Sequence, residues 1–222
     1  MTPAARTAAT IDILTEISRG DAPADAILAD WFRGHRFAGS GDRRAIREAV
    51  YADFRTGALR RWAVQAAEGD QENPRLRVIA GLTLDAPGEV DSQFDGAGYG
   101  PPPLSVEEQG LSETVGKLDV ATAPEHVGGN CPADLYPLFV DQWGAESADE
   151  LTALNQTAPV DLRVNALRAT REEAQARLAA DGYDAEPTTY SPSGLRGTVR
   201  GNFQQLGAYR AGMIDPQDES SQ

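Results

Sequence analysis

Apolar residues recur every three to four positions through the first 85 residues, which is the spacing that places them on one face of an α-helix. Five helical segments are predicted there. Asp42 is suited to cap the third of them, and Gly57 is suited to end it, since glycine is common just beyond a helix C-terminus. The apolar stripe of this third helix should face the core and consists of Ile46, Val50 and Phe54.

The helical pattern is interrupted over residues 86–131, which are acidic and rich in glycine and proline, including the run Pro101-Pro102-Pro103. A helical signal returns within this stretch over Ser105–Leu118 and again over residues 132–158. The sequence therefore predicts a helical domain over residues 1–85, a linker with a helical insert over 86–131, and connecting helices over 132–158.

At Pro159 the apolar period changes from about 3.6 to 2, which is typical of a strand with one buried face. Thr170 and Glu173 have the spacing of a capping box, so a helix should follow the strand and end near Gly182. Two more strands are expected, joined by a turn. Residues 159–222 are thus predicted to form a small α+β domain of β-α-β-β order, and the whole chain a multidomain protein in which an all-α bundle precedes it.

The composition of the chain excludes several classes of function. The chain has 222 residues, of which 41% are apolar and 24% charged, as in a globular protein. It has no apolar run of the ~20 residues that a membrane span needs, and a cytoplasmic location is expected. Cys131 is the only cysteine, His35 and His126 are the only histidines, and none has a partner at metal-ligand or catalytic spacing. No metal site, membrane partner or catalytic residue is predicted.

The net charge of −14 is distributed unevenly. Residues 63–160 hold three basic and seventeen acidic residues, whereas residues 1–62 hold ten arginines and eight acidic residues, and residues 161–222 hold seven arginines and nine acidic residues. A contact with a polyanion is therefore expected at the two ends of the chain rather than in its middle.

The third helix is one candidate RNA-contacting surface. Arg43 and Arg47 share a helical face with Tyr51 and Arg55, and arginines beside an aromatic ring suit contacts with an RNA backbone. A solvated face that Glu48 and Asp53 partly neutralise is the alternative.

The predicted sheet is the other candidate surface. Arg163 and Asn165 should lie on the face opposite Leu162, and Arg196 and Arg200 on a later strand could extend that face. Arginine and asparagine on a small sheet suit contacts with phosphates and base edges. A solvated sheet face remains the alternative interpretation.

Two segments carry a resemblance to a known family. The sequence LRVN at residues 162–165 and the sequence GMIDPQDESSQ at residues 212–222 resemble the region ahead of the catalytic domain in the Sun/RsmB-type rRNA cytosine-C5 methyltransferases of the NOL/NOP/Sun family. Residues 41–46, GDRRAI, resemble the NusB-like helical domain that opens those proteins.

The resemblance implies that the chain is the RNA-binding N-terminal region of an S-adenosylmethionine-dependent methyltransferase, with rRNA of the small ribosomal subunit as partner. It also implies an RNA-recognition role for the α+β domain. In the family, the motif that matches the last residues lines the cofactor and target-base pocket from outside. The matching positions here are Gln217, Asp218, Ser220 and Ser221.

The family's catalytic motifs have no counterpart in these 222 residues. The Asp-rich strand end, the Pro-Gly-Gly-Lys-like turn and the two catalytic cysteines are missing, so we expect the chain to stop just before the methyltransferase domain. We therefore expect no S-adenosylmethionine binding and no catalysis by this chain, and the cofactor is expected only for the intact enzyme. The alternatives are a free-standing NusB-like RNA-binding or antitermination-type module and an acidic protein-interaction domain.

Overall fold

The computed structural model describes residues 1–198 and 203–222. The chain forms two compact units, residues 1–156 and residues 157–222. In the first unit the described helices are α1 (Pro3–Ser18), α2 (Ala24–Gly34), α3 (Ser40–Ala66), α4 (Pro74–Asp85), α5 (Val90–Gln93), α6 (Val106–Val115), α7 (Glu125–Gly128), α8 (Tyr136–Trp143) and α9 (Ser147–Asn155).

One apolar core holds the first unit together, with α1, α3, α4 and α6 packed around it. Ile46 and Val50 are fully buried in it, which confirms the predicted direction of α3. Residues 86–131 also contribute to this core, although their composition is that of a linker. The residues of that stretch that lie in the core are Val90, Phe94, Leu111 and Val115.

Helix α3 differs from its prediction in three respects. It continues through Gly57, so the expected end there is wrong. Gly39 precedes the helix, and Asp42 lies in its first turn, where its carboxylate accepts a hydrogen bond from the Gly39 N–H. The prediction that Phe54 is buried is also wrong, because a spacing of four residues drifts around a helix and Asp53 takes the inward position.

Asn130, in the loop after α7, contacts the middle of α3 beside Gly57. The side-chain oxygen of Asn130 accepts a hydrogen bond from Ala58 N at 2.9 Å, and its nitrogen donates one to Phe54 O at 2.9 Å. These two backbone groups belong to one turn of the helix. The Asn130 carboxamide therefore stabilises the turn that contains Gly57, and α3 remains a single helix there.

A buried ionic cluster links α3 to α4. Arg77 donates from Nε and Nη2 to Asp53 Oδ2 at 3.2 and 3.1 Å, and Arg60 lies 3.6 Å from the other carboxylate oxygen. All three residues are at most 9% exposed. Because a buried charge is costly without a partner, Asp53 requires these arginines, and it cannot neutralise the Arg43 surface as the sequence suggested.

Helix α8 lies within the range 132–158 for which connecting helices were predicted. It begins at Tyr136, and most of its side chains are exposed. Cys131, just ahead of it, is buried as a free thiol. None of the described helices is both long enough and apolar enough to cross a bilayer.

The second unit is a small sheet with one covering helix. Its elements are β1 (Val160–Val164), α10 (Arg171–Ala180), β2 (Ala185–Pro187), β3 (Gly194–Gly197), α11 (Gly207–Arg210) and β4 (Ile214–Pro216). The strands run antiparallel in the order β2-β3-β1-β4. The α+β class is confirmed, and β4 is an addition to the three predicted strands.

Local signals position α10 on the sheet. The Thr170 hydroxyl accepts from Glu173 N and the Glu173 carboxylate accepts from Thr170 N, which confirms the capping box. Gly182 then ends the helix with a positive φ of 78°. Leu178 of α10 packs against Leu162 and Leu195 on one face of the sheet, and all three are fully buried.

Replacing Val50 by Asp should destabilise the first unit by on the order of 3–5 kcal/mol, because it places an unpaired charge in the core. Phe54→Asp on the same helix is the matched control, since Phe54 is 46% exposed, and it should cost far less. Urea unfolding followed by tryptophan fluorescence measures both. Equal midpoints for the two variants would show that the inward face of α3 is assigned wrongly.

Candidate nucleic-acid interface

Charged side chains line the face of the sheet that α10 does not cover. Residues directly opposite each other in an antiparallel pair share a face. Asp161 lies opposite Arg196, and Arg163 of β1 lies between Gly194 of β3 and Asp215 of β4. This charged face carries two of the predicted RNA-contacting arginines.

Arg196 is held by Asp161. Its Nε and Nη2 donate to the two carboxylate oxygens at 2.7 and 2.8 Å, and the buried carboxylate also accepts from Glu219 N at 3.2 Å. The hydrogen bonds from Arg196 hold the pKa of Asp161 below its ordinary value. Arg196 is half exposed but committed to this pair, so less of its charge is available to a ligand than that of an unpaired arginine.

Arg163 is the more available cation of the face. It is exposed, and no ion pair involves it among the residues that the structure describes. Its side chain lines an open groove of about 690 Å³ together with Asn165, Ser193, Tyr209 and Asp215. The groove thus combines hydroxyl, amide and guanidinium groups. Groups of these kinds donate hydrogen bonds to phosphate and sugar oxygens.

Asn165 lies at the same groove with its side chain engaged by backbone. Its nitrogen donates to Gly212 O at 3.1 Å, and its oxygen accepts from Leu167 N at 3.1 Å. These bonds fix the loop after β1 against the turn before β4. The structure thus brings Arg163 and Asn165 together, with Asn165 as a positioning residue for the wall of the groove.

The C-terminal residues close over the other end of the charged face. Glu219 accepts hydrogen bonds from the backbone of Tyr190 and Ser191, and these bonds lower its pKa. Gln222 accepts from the Ser191 hydroxyl at 2.8 Å. Gly194 lies beneath this segment, where an added Cβ would come within 2.0 Å of the Thr188 hydroxyl, so only glycine fits.

The four residues that match the family motif have different environments in the structure. Asp218 and Ser220 line a second groove of about 650 Å³, which they share with Arg196 and the exposed ring of Tyr190. Gln217 instead donates to Ser221 O at 2.8 Å and thereby stabilises the terminal turn. The last predicted arginine, Arg200, lies outside the described residues.

The Arg43 surface belongs to the first unit. Arg43 donates to Ala38 O at 2.9 Å and to Phe32 O at 3.4 Å, so it fastens the start of α3 to the end of α2. Arg47 is exposed, and its guanidinium carbon lies 5.6 Å from the centre of the Phe32 ring. On the same face Tyr51 donates to Asp25, which leaves Arg47 as the most accessible cation of the set.

Sequence reasoning missed the residue that organises the charged face. The period of two after Pro159 makes Asp161 an ordinary polar position of β1, and Glu219 stands out only as part of the C-terminal segment that carries the resemblance. The available signal was the strand period itself, which places Asp161 on the face of Arg163, where an uncompensated acid would oppose RNA binding. Its pairing with Arg196 depends on sheet register, which the pattern did not give.

The described strands differ from those that hold a nucleotide in doubly wound folds. Doubly wound folds hold a nucleotide at a glycine-rich turn between a parallel strand and a helix, whereas the described strands pair only in antiparallel fashion. No group of three histidine, cysteine or acidic side chains converges in the described residues as a metal site would require.

Residues 132–201 match the family model of the methyltransferase RsmF/B-like, ferredoxin-like domain. The matched range includes β1, α10, β2 and β3, so it covers most of the charged face. This match supports a relationship to the Sun/RsmB methyltransferases at a coarse level.

The crystal structure of PH0851 shares the fold over 99% of this chain, with a TM-score of 0.60 and 16% sequence identity. At that identity the likeness concerns the fold alone. The chain spans about half of the length of PH0851, 54%. A search of curated proteins gives no match.

Asp161→Asn should destabilise β1 and β3 by about 1.5–3 kcal/mol at neutral pH, the range for hydrogen bonds to a charged group. Because the folded-state pKa of Asp161 is lowered, its contribution is complete above the ordinary value near 3.8 and disappears as the pH falls through the folded value. The difference between the variant and wild type should therefore shrink in acid.

Amide hydrogen exchange in β1 and β3, compared with wild type at each pH, measures this effect locally. The control is Asp215→Asn, which removes an exposed carboxylate from the same face and should change exchange little. A loss that stays constant from neutral pH to acid would contradict the ionic role of Asp161.

Proposed function

We propose that this chain is an RNA-binding N-terminal region of an S-adenosylmethionine-dependent rRNA cytosine-C5 methyltransferase. The observation that carries the proposal is the match of residues 132–201 to the RsmF/B-like ferredoxin-like domain, combined with a charged sheet face that exposes Arg163 at an open groove. The substrate is rRNA of the small subunit. The role of the region is to orient that RNA for a catalytic domain elsewhere in the enzyme.

The chemistry of the face favours backbone contacts over base reading. The polar groups of the Asn165 side chain are engaged by backbone, and Arg196 is paired with Asp161, so the cation left for a phosphate is Arg163. No aromatic residue occupies β1, β3 or β4, and RNA-binding sheets that read bases use aromatic rings for stacking. The strands of this face therefore suit a sugar-phosphate segment more than an unstacked base.

The first unit has the role of the NusB-like domain in this proposal. Its support is the helical fold, the basic balance of residues 1–62 and the accessible Arg47. In the intact enzyme a cytosine must leave the base stack before its carbon 5 can be methylated, since the enzyme cannot reach it inside a helix. Contacts from both units would hold the flanking RNA during that step.

Arg163→Ala should weaken binding of a structured small-subunit rRNA fragment and lower the slope of log K against log salt by roughly 0.7–0.9, the value for one lost phosphate contact. Fluorescence anisotropy across a salt series measures both quantities. Arg177→Ala is the matched control, because it removes an arginine from the helix that covers the opposite face. Equal slopes for Arg163→Ala and wild type would exclude the sheet as the RNA-contacting surface.

Titration of the chain with S-adenosylmethionine should give no stoichiometric heat signal, because the glycine turn and the parallel strand that hold such a nucleotide are missing from its described residues. A chain-to-ligand complex of micromolar affinity would contradict this expectation.

A further inference from the structure

An aromatic column stands at the C-terminal end of α2 in the helical unit. The rings of Trp31 and His35 stack with centroids 3.8 Å apart and planes 8° from parallel. The Phe37 ring meets His35 edge-on at 5.6 Å. His35 Nδ1 lies 2.7 Å from Trp31 O, and this hydrogen bond fixes the orientation of the middle ring. The column is therefore held in place before any ligand arrives.

Phe37, at the outer end of the column, is 69% exposed. The large apolar side chains within α2 and the first half of α3 are buried or half-buried, so this ring stands alone rather than in an aliphatic patch. A protein-docking surface needs a contiguous apolar area, which a single ring does not provide. A flat ring with nothing over it instead matches the π-face of one nucleobase.

Arginines lie at both ends of the column. Arg36 is exposed and adjacent to Phe37 in the chain. At the other end Phe32 packs edge-on against Trp31 at 5.5 Å and carries the guanidinium groups of Arg43 and Arg47 over its ring. Residues 1–62 have an excess of arginine in a chain whose net charge is −14, so this region is complementary to a polyanion where the middle of the chain is not.

We propose that the exposed ring of Phe37, backed by His35 and Trp31, stacks against an unpaired base of single-stranded RNA while Arg36 contacts an adjacent phosphate and Arg47, at the other end of the column, contacts a phosphate further along the strand. The inference rests on the proposed RNA-binding function and assigns the helical unit a distinct task. The helical unit binds an unpaired nucleotide by stacking, whereas the sheet of the second unit contacts backbone. Stacking on a ring is tolerant of sequence, because every base has a π-face.

The test uses the whole 222-residue chain and a fluorescently labelled single-stranded RNA of about 12 nucleotides, within the ~4–16 nucleotides of known stacking sites. Phe37→Ala should weaken binding about fivefold or more and leave the salt slope unchanged, because it removes a ring and no charge. Arg47→Ala should instead lower the slope by roughly 0.7. Phe37→Trp should retain wild-type affinity or exceed it.

Tyr99→Ala is the control for loss of an exposed ring, since Tyr99 is 90% exposed in the acidic middle of the chain and should not affect binding. Phe37→Ala that binds like wild type, in a series where Arg163→Ala weakens binding, would overturn the stacking site and leave the proposed function intact. An equal loss for an RNA duplex of the same sequence would also overturn it. A wild-type chain that binds no RNA at low salt would contradict the RNA-binding function itself.

Discussion

The carboxylate of Asp161 is buried on the charged face of the sheet, at the end that the C-terminal residues cover, and the second unit depends on its contacts. A buried charge without partners would destabilise the unit, so two donors of Arg196 and the backbone of Glu219 must reach it. These contacts join β1, β3 and the C-terminal turn. They also determine which arginine is accessible to a ligand. Arg196 is paired with Asp161, whereas Arg163 lines the groove without an ion pair among the described residues.

Secondary structure in this chain follows its local sequence signals where one signal dominates. The capping box at Thr170 and the period of two after Pro159 predicted α10 and β1 correctly because each depends on neighbouring residues alone. The errors in α3 have another origin. A glycine weakens a helix by only ~1 kcal/mol. At Gly57 the two hydrogen bonds made by Asn130, which is distant in the sequence, outweigh that cost.

The candidate site was only partly predictable for the same reason. Alternation along β1 placed Arg163 and Asn165 together, and the groove lined by both agrees with that placement. What alternation cannot give is which polar atoms are already engaged, since Asn165 is bound by Gly212 and Arg196 by Asp161, both through long-range contacts. Stacking of Trp31 on His35 could have been anticipated from their spacing of four residues across the C-terminal end of α2.

The hydrogen bonds between Asn130 and α3 can form only late in the synthesis of the first unit. Asn130 lies 72 residues beyond Ala58, so at ~5–20 residues per second the ribosome needs roughly 4–14 s to add it after Ala58 has been added. Helices form within about a microsecond, and α3 therefore spends that interval with the turn at Gly57 held by its own backbone alone. Closure by Asn130 then adds two hydrogen bonds to that turn and should reduce its local opening.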